Sequence, residues 1–139
     1  MIKNKYDISS IEKLSSVALE LLKLSHNRIF AIHGGLGVGK TTLVKQLCNH
    51  LNIVDSVSSP TFSIVNEYMD TNGEKIFHFD LYRVNDVSEL NQLGMDIYID
   101  SGRYCFIEWP ALVEPLILDN CTVIKMIKNT NKRELLLLE

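Results

Sequence analysis

The sequence has no C-x-x-C pair, no apolar run approaching the length of a membrane span, no low-complexity tract and no internal repeat. Cys48, Cys105 and Cys121 lack metal-ligand spacing, and the last two lie in apolar surroundings, so all three are read as small hydrophobes without chemistry. The opening segment MIKNKYDISS carries lysines but neither an apolar h-region nor a small-residue cleavage site, so the expected location is cytoplasmic. No Pro/Gly/Ser-rich stretch or charge block marks a linker or tail. A net charge of −3 argues against broad binding to a phosphate backbone, which needs Lys and Arg gathered on one face. The one small basic group, Lys125, Lys128, Lys132 and Arg133, is read as a solvated hairpin edge.

What is present suits one ordinary domain over residues 1–139, with 46% apolar and 22% charged residues. Ser9 to Glu12 spell S-x-x-E, a capping box, and Ile11, Leu14, Ala18 and Leu21 follow at helical spacing, which predicts a helix over 10–25. Residues 29–33 read as a short buried strand. TFSIVNEYM and EKIFHFDLYRV alternate around the turn residues Asp70 to Gly73 and predict an antiparallel hairpin. Its second arm has Ile76, His78, Asp80 and Tyr82 on a mixed face, with Phe77, Phe79 and Leu81 on an apolar one. DVSELNQLG predicts a short helix from Asp86 to Gly94, YCFIEW a buried strand ending at Glu108, and the tail two strands joined at Asn129 to Lys132. Alternating elements around apolar strands imply an α/β sandwich.

Between strand 29–33 and the next helical pattern, four glycines fall in six positions, in GGLGVGKT. Ordered glycine costs backbone entropy, so their density marks a place where side chains would be in the way. Gly34, Gly39, Lys40 and Thr41 fit G-x-x-x-x-G-K-[ST], the P-loop, which follows a strand and opens a helix as that motif requires. The expected fold is therefore a P-loop NTPase-like three-layer sandwich, its mixed, mostly parallel sheet extended by antiparallel hairpins. Residues Gly34, Gly35, Leu36, Gly37, Val38 and Gly39, with Thr42, are the expected phosphate cradle for ATP. Backbone N–H groups form an anion nest, the helix start adds its positive end, and Lys40 reaches the β- and γ-phosphates. Thr41 supplies a hydroxyl for Mg²⁺, which also calls for a carboxylate at the end of a neighbouring strand. Glu108, ending the apolar run YCFIE, fits that metal role better than Asp80, whose strand has a more exposed, antiparallel character. His33 and His78 lack a second metal ligand at recognisable spacing and are left outside the chemistry. Trp109 reads as core by residue type, although it adjoins Glu108.

Four blocks in order, GGLGVGKTT, SSPTFSIVNEY, FHFDLYR and FIEWP, with ELNQLG between the last two, resemble the bacterial TsaE (also called YjeE) ATPases of tRNA threonylcarbamoyladenosine biosynthesis. The resemblance covers most of the chain. It implies that Ser59, Pro60 and Thr61 form a switch-like loop beside the γ-phosphate, that Asp80 and Glu108 are catalytic with Glu108 associated with the metal, and that Arg133 and Ser10 approach the nucleotide, Ser10 near the base. It also implies partnership with the two-subunit threonylcarbamoyl-transferase complex of TsaB- and TsaD-type proteins, which modifies adenosine next to the anticodon, with tRNA met only indirectly. Many members carry an acid where this chain has Gly35.

Three other readings remain. A small-molecule P-loop kinase would be expected to clamp two phosphorylated ligands with several arginines, and only Arg28, Arg83, Arg103 and Arg133 are available, with no lid-like insertion. A GTPase is suggested only by Asn4 to Asp7, an N-K-x-D match with no preceding strand. A nucleotide-gated, non-catalytic binding module would carry the same loop.

Overall fold

A computed structural model describes residues 1–60 and 63–138. Seven strands form one sheet: β1 (Ile2–Asp7), β2 (Ile29–His33), β3 (Val65–Met69), β4 (Lys75–Asp80), β5 (Cys105–Glu108), β6 (Cys121–Lys128) and β7 (Arg133–Leu138). They lie in the order β1-β7-β6-β2-β5-β4-β3. The central strands β6, β2, β5 and β4 run parallel, while β3 pairs antiparallel with β4, and β7 with both β6 and β1. The carboxyl ends of β2, β4 and β5 therefore open on one edge, where an α/β sheet places its ligands.

Helices cover both faces, giving the three layers expected from the sequence. On one face α1 (Ile11–Leu24) and α2 (Lys40–His50) pack Leu14, Val17, Ala18, Leu21, Leu43, Val44 and Leu47 onto Phe30, Ile32 and Phe106 of the sheet. On the other, α3 (Val87–Leu93), α4 (Met95–Ile99) and α5 (Glu114–Ile117) cover Phe77, Phe79 and Ile107. Phe79 lies edge-on to Tyr98, with ring centroids 5.2 Å apart. No helix among the described residues is long and apolar enough to cross a membrane.

The local readings place most elements and err informatively at others. The cap of α1 is Ser10, whose Oγ accepts from the Lys13 amide at 3.2 Å, not the Ser9 of the S-x-x-E pattern; Ser9 instead donates to Asp7. Asp86 caps α3 by accepting from the Glu89 amide, and Gly94 ends it at φ 76°, both as expected. The tail hairpin forms β6 and β7, but it is not an edge: β1 pairs along the outer side of β7, through Ile2 opposite Leu138 and Asp7 opposite Glu134. Lys125 is exposed for another reason, since it lies between the buried Ile124 and Met126 on β6, and Lys128 is the exposed last residue of that strand. Strand β4 is likewise more interior than its sequence suggests. It lies between β5 and β3, and Ile76, Phe77, His78 and Phe79 are all buried.

Candidate functional site

The chain leaves β2 at His33 and enters α2 at Lys40 through the glycine loop. Two glycines there answer to geometry. A Cβ on Gly34 would sit 2.7 Å from Val38 Cγ1 and 3.2 Å from the Met126 carbonyl oxygen, so the loop closes against β6 only without one. Gly39, at φ 110°, adopts a left-handed conformation at the threshold of α2. Gly35 is different: a Cβ there meets nothing within 4 Å, so an acid in its place would be accommodated.

Lys40 is only 5% exposed, and a buried ammonium needs partners. Its Nζ donates to the carbonyls of Gly34 at 2.7 Å and Gly35 at 2.9 Å, and lies 4.1 Å from the centre of the Trp109 ring. Burial holds its pKa below the ordinary lysine value, partly opposed by the charges of Glu108 and Asp80. Trp109 itself has φ 55°, an uncommon backbone conformation for a bulky residue. It turns the chain from β5 into a 3-10 turn at Pro110–Leu112, and its ring lies 4.8 Å from that of Tyr82. The sequence weighed this tryptophan as core; the structure places it half-buried beside the loop lysine.

Thr41 Oγ1, in the first turn of α2, donates to Glu108 Oε2 at 2.9 Å and lies 3.2 Å from Oε1. Glu108 is buried at the end of β5 and also takes a 2.6 Å bond from His78 Nε2. Asp80 stands beside it, because β4 and β5 align Asp80 with Glu108. Its carboxylate accepts from Ser59 Oγ at 3.2 Å and from the Tyr82 amide at 3.0 Å, which brings the Ser59–Pro60 segment to the same edge. Thr61 lies outside the described residues. At the other end of the loop, Ser10, Gly39, Thr42, Met126 and Arg133 line one cavity of about 130 Å³. Every candidate named from the sequence among the described residues thus falls on the glycine loop or on one of these two flanks.

Two members of the cluster were not picked out beforehand. His78 is fully buried between Glu108 and Tyr68, whose hydroxyl lies 2.9 Å from His78 Nδ1. Its period-two position beside Asp80 was the available signal; its partners lie 10 and 30 residues away.

The chain is similar to known proteins over most of its length. The family model described as threonylcarbamoyl adenosine biosynthesis protein TsaE matches residues 8–135. Proteins named tRNA threonylcarbamoyladenosine biosynthesis protein TsaE align from Haemophilus influenzae (40% identity, 64% of this chain, 57% of that protein) and Bacillus subtilis (41%, 62% and 52%). One from Aquifex aeolicus aligns at 36% identity over 88% of this chain and 84% of its own length. The chain thus spans little more than half the length of the first two. The crystal structure of Bacillus subtilis YdiB superposes with a TM-score of 0.66 at 25% identity, covering 99% of this chain and 86% of that one.

Proposed function

The chain belongs to the TsaE family, and from that premise we propose that it is an Mg²⁺-dependent ATPase serving threonylcarbamoyladenosine modification of tRNA. It acts through a transferase complex of TsaB- and TsaD-type proteins and meets tRNA only through them. The observation that carries the catalytic part is the contact of Thr41 with Glu108 one residue from Lys40. It puts a hydroxyl and a carboxylate, both hard oxygen donors, together at the mouth of an anion-binding loop.

Among the described residues no group of three or more His, Cys, Asp or Glu is arranged to hold a metal. The Thr41–Glu108 pair still suits Mg²⁺, which keeps several waters and takes one or two protein oxygens beside the phosphates. When bound it neutralises charge on the β- and γ-phosphates. Lys40 leaves the Gly34 and Gly35 carbonyls for the phosphate oxygens, a stronger acceptor for a buried cation. Asp80, held by Ser59 and the Tyr82 amide, is the candidate group for orienting water. Thr61 is the candidate contact for the γ-phosphate, and Ser10 and Arg133 flank the nucleotide beyond Gly39. Neither a glutamine to position water nor an arginine directly follows SSPTFS, which supports slow hydrolysis by the chain itself, although Arg83 lines the same cavity as Ser59, Pro60 and Asp80.

The test separates binding from turnover. Lys40→Ala should lose at least about tenfold in calorimetric Mg²⁺-ATP affinity while remaining folded, because each charge-assisted bond contributes roughly 1.5–3 kcal/mol. Glu108→Gln should slow single-turnover phosphate release by roughly 100-fold with little change in affinity. Normal hydrolysis by Glu108→Gln alongside an inactive Asp80→Asn would reverse the two acids' roles. Wild-type affinity in Lys40→Ala would refute the cradle.

A further inference from the structure

A polar path runs from the first turn of α2 to the Ser58–Pro60 segment, and His78 is its middle. The ring is completely buried, yet both nitrogens are engaged: Nε2 with Glu108 Oε2 at 2.6 Å and Nδ1 with the Tyr68 hydroxyl at 2.9 Å. That hydroxyl lies 2.9 Å from the Ser58 carbonyl oxygen, and the Ser58 amide points back at it from 3.3 Å. The adjoining Ser59 reaches Asp80. Thr41, Glu108, His78, Tyr68 and Ser58 are therefore joined without a break.

An apolar side chain of similar volume would fill this place, next to Ile76 and Phe106, at no desolvation cost. What imidazole adds is direction. The last torsion of a glutamate is broad and nearly two-fold, so a carboxylate bonded at one point can pivot. The ring N–H pins Oε2, and the pinned carboxylate presents both oxygens to Thr41 Oγ1. Tyr68 adds a second connection, because its single hydroxyl proton has two acceptors in reach, His78 Nδ1 and the Ser58 carbonyl. When the phenol turns to the ring, Asn66 Nδ2, 3.1 Å from that carbonyl, still covers it. With the phenol on the ring, neither His78 Nδ1 nor the Ser58 carbonyl is bare.

We propose that His78 is a positioning residue that holds the Glu108 carboxylate on Thr41 and, through Tyr68, sets the Ser58–Ser59 backbone against the glycine loop. This rests on the reading of Glu108 as the acid on which hydrolysis depends. A nucleotide that alters the Thr41–Glu108 contact is then felt at Ser58 through buried hydrogen bonds.

Three variants divide the path. His78→Asn carries an amide near the Nδ1 position, keeping Tyr68 and falling short of Glu108. His78→Gln extends an amide to the Nε2 position, keeping Glu108 and losing Tyr68. Tyr68→Phe removes one oxygen. In single-turnover hydrolysis His78→Asn should fall about 10- to 100-fold with ATP affinity unchanged, and His78→Gln should recover most of that loss. In nucleotide-free protein, amide exchange at Ser58 and Ser59 should quicken about 2- to 10-fold in Tyr68→Phe, the loss of one ordinary hydrogen bond. Equal losses in the two His78 variants, a change in affinity instead of rate, or unchanged exchange in Tyr68→Phe would each overturn the proposal. Should both His78 variants fail to fold, the exchange measurement decides it. Glu108→Gln run in parallel separates the two levels. If it hydrolyses ATP normally, the reading of Glu108 falls and this proposal with it; if it is impaired while His78→Asn is not, the proposal alone falls.

Discussion

Gly34 and Gly35 are neighbours under opposite constraints. At Gly34 a methyl group would press on Val38 Cγ1 and on the Met126 backbone, and the valine is itself buried, so the loop must shift away from β6. At Gly35 the added group meets open space. Gly34→Ala should therefore cost about 1–3 kcal/mol of stability, the usual range for overpacking, while Gly35→Ala stays close to wild type in urea unfolding. Equal midpoints for the two variants would mean that the close approach to β6 carries no weight. The carbonyls of the same two residues hold the Lys40 ammonium, so a shift at Gly34 should also disturb the cation that the phosphate cradle needs.

Elements set by local chemistry were the legible ones. α1 and α3 announce themselves through caps and helical spacing, and the glycine loop through composition, because each depends on residues within a turn of one another. β1 was not legible. IKNKYD has no continuous apolar face and is a strand because β7 offers it a row of backbone partners some 130 positions later, Ile2 meeting Leu138. Missing it made the tail hairpin look like an edge. The position of Glu108 could be read from four strand residues ending on an acid, whereas β4 looked exposed because its burial comes from pairing with β5 and from α3 to α5 over Phe77 and Phe79, none of which shows in its own alternation. His78 was set aside for the same reason, since a lone histidine acquires meaning only when the fold brings Glu108 and Tyr68 to its two nitrogens.

At the scale of the whole molecule, the glycine loop, Asp80, Glu108 and the Ser58–Pro60 segment gather on one edge of the sheet, and that edge carries apolar surface. Leu36 at the loop tip is 73% exposed and Tyr82 54%. A site proposed to lack its own finishing groups, rimmed by such residues, suits completion by another protein. Partner-supplied arginines raise P-loop hydrolysis by roughly 10³ to 10⁵. The isolated chain should turn over far below the roughly 1 to 100 per second typical of kinases and speed up when the TsaB- and TsaD-type complex is added. Steady-state phosphate release with and without that complex checks this, and a fast rate indifferent to the complex would contradict it.

The resting place of Lys40 has an optical consequence. Its ammonium lies over the only indole in the chain, Trp109, at 4.1 Å. A positive charge that close perturbs the excited state of the ring, and a ligand that draws Lys40 toward phosphate moves the charge and brings others in. The emission of the unlabelled protein, excited where indole absorbs and tyrosine does not, should therefore change as Mg²⁺-ATP is added, and it comes from the residue that follows Glu108. The fold has built an intrinsic fluorophore into the loop it would report on.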